Sequence, residues 1–348
     1  MPARFSRRTL LQLTAFAPAL RPVFAQSPAA PGERSVVALT KGDDRRKNVA
    51  AALAAIDSQI APVLKTRKYV AIKVNNVSTV NQLAATPAGS IHGILDYLEP
   101  RFKGPVYVVE SSAGDTMEGY ESFAYNHVAS EHRSQKVGLI DLNREAKYKT
   151  VAMIDYDLHA KPARMAARLF DPDAYIFCAS MLKTHNVVVA SLSVKNMALG
   201  APLHSAPGEK PWNDKRVVHN GLRQTQYNIF LAAQALKPFW GTAVIDGYEG
   251  MEGNGPSSGT PVPSRLAIAS TDFIAADRVA VETMGINPDW MGYLKFAADF
   301  GIGRFDLSQI DVRGEKIEAV RRPYRLHPDI ERQLEWMGPM RDLPRKLG

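Results

Sequence analysis

Residues 241–259 read GTAVIDGYEGMEGNGPSSG, an apolar run followed by a stretch rich in glycine and acidic residues. The run 241–245 predicts the end of a buried strand, and residues 246–259 predict a loop. Five of the fourteen loop residues are glycine, which costs backbone entropy unless positive φ angles or close backbone approach require it. We therefore expect this loop to form one wall of a site at the carboxyl end of a strand.

On both sides of this stretch, short apolar runs alternate with amphipathic segments that are typical of helices. The predicted strands are 36–39, 69–75, 106–110, 137–141, 175–180 and 265–270. Strand, loop and helix repeat with short connections, which predicts an α/β fold: a mostly parallel or mixed sheet with helices on both faces. Ligands of such sheets bind outside the carboxyl ends of the strands.

Polar residues follow several of the predicted strands, as expected for a site at that edge of the sheet. They are 41–44, Asn75 and Asn76, 110–115, and 246–252. No Gly-x-Gly-x-x-Gly fingerprint follows the first strand, and no glycine-rich phosphate loop ends in Gly-Lys-Ser or Gly-Lys-Thr. The sequence therefore argues against a standard dinucleotide or nucleoside triphosphate site.

The amino terminus predicts an export signal peptide over residues 1–25. Arg4, Arg7 and Arg8 precede the apolar segment 10–20, and small residues around Ala25 suit cleavage there. The paired arginines are similar to the twin-arginine motif, which predicts a periplasmic or otherwise exported protein and the twin-arginine machinery as a partner. An ordinary secretory signal or an uncleaved anchor is the alternative.

We expect one folded domain after this signal. The predicted divisions are a signal peptide at 1–25, a flexible lead-in at 26–35, a single α/β domain at 36–315 and a basic C-terminal extension at 316–348. The chain has 348 residues, of which 45% are hydrophobic, enough for a substantial core. No run beyond residue 25 is long enough to span a membrane.

Charge and cysteine content narrow the functional classes. The formal net charge of +8 falls to +4 when the four arginines of residues 1–25 are left out. The basicity therefore gives little support for nucleic-acid binding. Cys178 is the single cysteine, so an intrachain disulfide and a chain-borne iron–sulfur cluster are both excluded.

Lys183, His185, Lys195 and Asn196 are the predicted catalytic residues. Lys183 and His185 stand two apart where a strand is predicted to end, so their side chains point the same way if the strand persists. Two neighbouring cations lower each other's proton affinity, which suits a neutral imidazole that acts as a base or a metal ligand. Lys195 and Asn196 can hold an anion. A surface lysine and an ordinary loop histidine are the alternative.

The glycine-rich loop supplies the predicted metal and cofactor residues. Asp246, Glu249 and Glu252 offer hard oxygen ligands, and His219 can complete a divalent metal site whose bound water is a nucleophile. A structural ion network is the alternative. The glycines expected to let the backbone approach a cofactor or ligand are Gly250, Gly253 and Gly255. The identity of the cofactor is unknown beyond this divalent metal.

Four motifs occur in order along the chain: 183–185, 193–196 with Gly200, 246–256 with Gly259, and 272–277. Together they resemble the domain-of-unknown-function family 362 over roughly residues 36–315. The resemblance implies an α/β fold and no established reaction. Many members resemble ferredoxins in carrying an added cysteine-rich cluster domain, which this chain lacks.

Two functions fit these patterns. The first is an exported enzyme that acts on a small anionic substrate with a site of lysine, histidine and carboxylate groups, with or without a divalent metal. The alternative is a non-catalytic protein of the periplasm that binds a solute or serves a redox enzyme. Lysine, histidine and acidic residues at several strand ends favour the enzyme.

Overall fold

A computed structural model describes residues 34–206 and 208–338. The predicted signal peptide and nearly all of the lead-in lie outside the described residues. The strands are β1 (Ser35–Lys41), β2 (Tyr69–Lys73), β3 (Val106–Glu110), β4 (Val137–Asp141), β5 (Tyr148–Ile154), β6 (Ala160–Ala166), β7 (Ala174–Thr184), β8 (Ala190–Ser191), β9 (Thr242–Glu252), β10 (Thr260–Val262), β11 (Leu266–Ser270) and β12 (Ile310–Gly314).

The α-helices lie between these strands and after the last one. They are α1 (Arg45–Ala55), α2 (Asp57–Leu64), α3 (Ala88–Leu98), α4 (Thr116–Ser122), α5 (Tyr125–Glu131), α6 (Leu142–Glu145), α7 (Ser193–Gly200), α8 (Lys215–Val218), α9 (Leu222–Leu236), α10 (Phe273–Thr283), α11 (Gly292–Asp299), α12 (Ile317–Val320) and α13 (Ile330–Leu334). None of the described helices has the length and apolar character needed to cross a membrane.

Ten strands form one mixed sheet. Its main path runs β12-β1-β11-β9-β7-β2-β3-β4, with β8 paired to β7 and β10 paired to β9. Along this path only β11 is antiparallel to its neighbours. β5 and β6 form a separate antiparallel hairpin. The predicted α/β fold with a mostly parallel sheet is confirmed.

Helices cover both faces of the sheet because its central strands are apolar on both sides. In β7, Tyr175 and Phe177 pack on one face with α1 and α3, whereas Ile176 and Cys178 pack on the other with α7, α9 and α10. Successive side chains of a strand point to opposite faces, so one apolar run serves two cores. The predicted placement of helices on both faces is confirmed.

After the neighbouring parallel strands β2 and β7, the chain crosses to opposite faces of the sheet. From β2 it passes through α3 on one face to β3, and from β7 through α7 and α9 on the other face to β9. Open α/β sheets form their ligand crevice at such a switch point, outside the carboxyl ends of the strands. The topology thus selects the region beyond β2 and β7.

Strand β9 extends past the point where the sequence predicted a loop. The expected strand end was residue 245, yet the ladder continues to Glu252 because β9 pairs with β7 on one side and with β11 and β10 on the other. The loop proper is the hairpin connection 253–259. Asp246, Gly247 and Gly250 are therefore strand residues, and the prediction of a loop from Asp246 onward is wrong.

The carboxyl-terminal segment packs onto the domain as far as the described residues extend. Tyr324 is buried and hydrogen-bonds Ser264 at 2.9 Å. The buried Gln333 accepts a hydrogen bond from the Val189 amide at 2.8 Å. Residues 316–338, predicted as part of a basic extension, thus contribute to the core of the domain.

Two aspartates of the motif 272–277 each bind backbone amides in the first turn of a helix, and the two helices are different. Asp272 caps α10 by accepting the Ile274 and Ala275 amides, as its sequence pattern predicts. Asp277, inside α10, accepts the Ser193 amide at 2.9 Å, the Ser193 hydroxyl at 2.5 Å and the Val194 amide at 3.0 Å. Burial raises the pKa of Asp277 to about 7, and the three donors oppose this rise. Asp277 thus anchors the first turn of α7.

Replacing Asp277 with alanine would leave buried donors at the start of α7 without a partner. We expect the free energy of unfolding to fall by about 2–3 kcal/mol, because buried unpaired polar groups lose water without compensation. Urea denaturation measures this loss. Asp44→Ala is the matched control, since Asp44 caps α1 at the surface through the Lys47 amide, and its loss should be about 1 kcal/mol or less. Equal losses would contradict the role given to Asp277.

Candidate functional site

A cavity of about 350 Å³ opens at the switch point between β2 and β7. Its walls come from the residues after β2, β3 and β7, from α7 and α8, and from the tip of the 253–259 hairpin. The lining residues are Asn75, Asn76, Val77, Glu110, Ser111, Ala113, His185, Asn186, Lys195, Asn196, Leu199, Gly200, Lys215, Arg216, His219 and Pro256. Of the predicted site residues, His185, Lys195, Asn196 and His219 therefore share one cavity.

Lys73 and Glu110 form a buried ion pair behind the cavity wall. Their charged groups lie 2.8 Å apart, and Lys73 also donates to the Val74 carbonyl at 2.7 Å and to Asn196 at 3.2 Å. Gly200 makes room for the pair, because a Cβ there would collide with the lysine side chain. This ion pair joins the ends of β2 and β3 to α7.

The single carboxylate that lines the cavity is fully engaged. Besides Lys73, Glu110 accepts the Asn76 amide at 3.0 Å and the Ser111 amide at 2.8 Å. Its negative charge is therefore neutralised by the protein itself. The remaining charged groups of the cavity are cationic, so the site favours an anion.

Two further lysines near the cavity have all or most of their donors occupied. Lys183 donates to the Asn75 side chain at 2.6 Å and to the Ala84 carbonyl at 2.9 Å. Lys215 donates to the Ser111 hydroxyl and to the carbonyls of Leu199 and Pro202, at 2.7–2.9 Å. Lys183 is buried behind Asn75 and does not line the cavity. It holds a wall residue in place.

Lys195 differs from these lysines because its ammonium group has no hydrogen bond or ion pair with any described residue. Its side chain is 6% exposed and lines the cavity. Burial, followed by the charges of Lys215 and Lys73, lowers the pKa of Lys195 to about 7. Near neutral pH a large fraction of Lys195 is thus an uncharged amine, which can act as a base or a nucleophile.

The hydrogen bonds of His185 assign its tautomer. Nδ1 accepts the Val187 amide at 3.0 Å and the Val188 amide at 3.3 Å, so the proton of the neutral ring resides on Nε2. Burial lowers the pKa of His185 well below its usual value, and Lys195 adds to the effect. The neutral imidazole predicted from the sequence agrees with this lowered pKa, whereas Nδ1 is occupied by the two amides and the ring offers Nε2–H as a donor.

His219 lies beside His185, with ring centroids 5.6 Å apart. Burial, with a contribution from the Lys195 charge, lowers the pKa of His219 to about 4. The ring is therefore neutral at pH 7. Asn196 has a different function. Its Oδ1 accepts hydrogen bonds from the Lys73 ammonium group and from the Asn75 side-chain amide, each at 3.2 Å, so Asn196 connects α7 to the end of β2.

The three predicted metal-binding carboxylates lie outside this cavity. Asp246 is buried on the opposite side of β9, where it pairs with Arg45 at 3.0 Å and accepts the Ser90 hydroxyl. Glu249 is exposed, and Glu252 accepts the Arg325 amide at 2.8 Å. They do not converge with His219. Because β9 continues through residue 246, side-chain alternation directs Asp246 to the face of the sheet that carries Arg45 and Ser90.

Metal-ligand geometry in the described part of the chain occurs elsewhere. The group whose ligand atoms lie within 4.8 Å of one another is Asp155, Asp157 and His159, largely exposed in the β5–β6 turn. Asp155 there accepts the amides of Asp157 and His159 at 3.0 and 2.8 Å, an ordinary arrangement for an aspartate in a turn. The predicted metal site at residues 246–252 has no support in this geometry.

The three glycines predicted to approach a cofactor are packed against the protein itself. A Cβ at Gly250 would collide with the Tyr324 hydroxyl, and one at Gly255 with the Thr184 carbonyl. Gly253 has a positive φ of 72° and lies against Arg325. Their shared function is close chain packing, which lets Pro256 reach the cavity.

Several residues in the cavity wall or behind it were not predicted as site residues from the sequence, and some of them left a signal. Lys73 interrupts the apolar strand 69–74, and a charged residue inside a strand buried on both faces requires a partner. Glu110 ends the next strand and is that partner. Lys215 and Arg216 gave no signal, because they occur in a loop-like stretch whose path to the cavity depends on tertiary packing.

The sequence profile of a domain of unknown function, DUF362, matches residues 70–282, more than half of the chain. The matched range contains every described cavity residue from Asn75 to Pro256. The chain belongs to this family, as the four motifs in its sequence indicated. No curated protein matches the chain.

The tight packing of the hairpin can be tested by giving Gly255 a side chain. In Gly255→Ala the new methyl group would press on the Thr184 backbone, and we expect the free energy of unfolding to fall by about 2 kcal/mol from overpacking. Thermal and urea denaturation measure this change.

Gly301→Ala provides the matched control. Gly301 has a φ of 69°, and a Cβ there would meet no described atom within 4 Å, so the substitution should cost about 1 kcal/mol from backbone strain alone. A Gly255 variant as stable as the wild type would contradict the close approach to Thr184.

Proposed function

We propose that this protein is an enzyme whose active site is the cavity between β2 and β7, and that it acts on a small anionic substrate. The observation that carries the proposal is Lys195, a buried amine without a partner among the described residues, in a cavity whose one described lining carboxylate is already neutralised. A buried, unpaired amine with a strongly shifted pKa is typical of catalytic sites.

The cavity groups divide into those that attract the substrate and one that reacts. Lys215 and the exposed Arg216 line the cavity and give it positive potential, whereas the charges of Lys73 and Glu110 cancel. The His185 Nε2–H can donate to a substrate oxygen. Lys195 is then the group that exchanges a proton or attacks an electrophilic carbon.

No metal is required by this proposal. The carboxylate that lines the described part of the cavity is already paired with Lys73, and His185 accepts two backbone amides at Nδ1, which leaves His219 as the neutral imidazole open to a metal. Divalent cations prefer several free oxygen ligands or neutral imidazoles. The divalent metal expected from residues 246–252 therefore has no place in the mechanism.

A binding protein without catalysis is the second function, favoured by the apolar part of the same cavity. Val77, Ala113, Leu199 and Pro256 contribute its apolar walls, which suit the capture of an organic anion. A ligand that co-purifies unchanged, and that the protein does not convert on incubation, would favour capture. Turnover of any anion in a substrate screen would exclude it.

Anion binding should depend on the charge of Lys195. The free protein carries this charge below pH 7 and loses it as the pH rises through about 7. A bound anion stabilises the ammonium, so binding above pH 7 must take up a proton, and affinity should fall about tenfold per pH unit. Isothermal titration calorimetry with sulfate and propionate from pH 6 to 9 measures this dependence.

Lys195→Met should weaken anion binding by roughly tenfold or more at pH 6, the value of a hydrogen bond to a charged group. Lys65→Met is the control, because Lys65 is exposed at the end of α2. Unchanged affinity in Lys195→Met, or affinity that does not vary between pH 7 and 9, would contradict the proposed site.

We also propose export by the twin-arginine pathway, supported by Arg7 and Arg8 before an apolar segment. Replacing both arginines with lysine should retain the protein in the cytoplasm of the producing bacterium. Cell fractionation and the size of the mature chain measure this effect. Normal export of the double variant would assign the chain to the general secretory route instead.

A further inference from the structure

The lysines around the cavity differ in what their nitrogen atoms can do. Lys73, Lys183 and Lys215 each direct their donors to oxygen atoms of the protein. The Lys195 nitrogen has no such partner among the described residues and faces the cavity. It alone of the four is available to form a bond with a ligand.

The surroundings of Lys195 keep its nitrogen reactive. Burial of the Lys195 side chain, followed by the charges of Lys215 and Lys73, lowers the pKa of its amine. Burial also lowers the pKa of Lys215 to about 7, but the nitrogen of Lys215 is already bonded to three oxygen atoms of the protein. An amine next to other cations in a desolvated pocket is the arrangement that activates lysine for attack on carbonyl groups. Proton exchange alone does not require the nitrogen to be held beside two other lysines.

The shape and polarity of the cavity indicate what the amine attacks. Arg216 and the His185 Nε2–H are available to bind a carboxylate, whereas Val77, Leu199 and Pro256 are suited to a short carbon chain. A cavity of about 350 Å³ accommodates a small organic acid. An anion with an electrophilic carbon satisfies both the cationic and the nucleophilic groups.

We propose that Lys195 forms an imine with the carbonyl carbon of a small oxo acid, a substrate class that deepens and rests on the proposed function of the cavity. The geometry that supports this assignment is an unpartnered primary amine inside a cavity with separate groups for a carboxylate and for a carbon chain.

The bond changes balance without an oxidant or a reductant. The lone pair of the neutral amine attacks the carbonyl carbon, a C–N bond forms, and the carbonyl oxygen takes up a proton. The resulting carbinolamine then loses its C–O bond, and the oxygen leaves as water after receiving a second proton. The nitrogen loses its two hydrogens as protons, so amine and carbonyl give imine and water.

The neighbouring groups can carry the protons of this sequence. His219 is neutral at pH 7 and close enough for the Lys195 charge to affect its pKa, so it can accept a proton from nitrogen and return it to the departing oxygen. His185 keeps its proton on Nε2 and can bind the carboxylate. Lys73 and Glu110 remain paired throughout, because their contacts are all internal.

Reductive trapping tests the imine directly. The purified wild-type protein is incubated with pyruvate, 2-oxoglutarate or acetoacetate, reduced with sodium borohydride and digested for peptide mass spectrometry. At least one acid should label Lys195, with about tenfold or more excess over Lys65, since an ordinary lysine is almost entirely protonated at neutral pH. The site is mapped in the wild-type chain, so a variant that fails to fold does not obscure the result.

Lys195→Arg is the matched variant, because it keeps a positive charge and removes the nucleophile. It should lose the adduct, whereas Lys65→Arg should leave both the adduct at Lys195 and the affinity for propionate unchanged. Equal labelling of many lysines, or no adduct with any of the three acids, would overturn the imine. If sulfate and propionate still bind through Lys195 in that case, the anion site stands without the imine. If neither binds, both proposals fall.

Discussion

The buried ion pair between Lys73 and Glu110 is the interaction on which the site depends. It lies at the ends of two neighbouring parallel strands, and it contacts α7 at the position where Gly200 has no side chain. Breaking such a pair leaves an uncompensated charge in the interior, which is costly. The pair therefore fixes the strand ends relative to α7, and it also neutralises Glu110, the one carboxylate among the described residues that line the cavity.

Most of the architecture could be predicted from the sequence because it follows from local apolar patterns. The strands around residues 70, 107 and 176 are continuous apolar runs, which implies burial on both faces and a parallel sheet. The glycines of β9 and of the 253–259 hairpin connection could not be interpreted locally. Gly250 and Gly255 are needed because Tyr324 and Thr184 pack closely against them. Since Tyr324 and Thr184 are distant in the sequence, these contacts could not be foreseen, and a loop was predicted where the strand continues.

The site was predicted in part, and the division has a physical reason. His185, Lys195, Asn196 and His219 lie around one cavity because topology brings strand ends and α7 together. Asp246 was wrongly grouped with them, since strand alternation directs it to Arg45 and Ser90. The roles of the lysines could not be predicted from the sequence either. Whether a lysine has a hydrogen-bond partner depends on backbone carbonyl groups such as that of Ala84, and the pattern of side chains does not reveal where these carbonyls lie.

Helix α7 is held at both ends by residues from other parts of the chain. Asp277 binds its first turn, and Lys73 contacts it where Gly200 ends it. The Lys195 side chain projects from between these two fixed points. The position of the Lys195 amine thus depends on contacts at both ends of α7, so a side chain at position 200 or the loss of the Asp277 carboxylate would displace it without any change at position 195 itself.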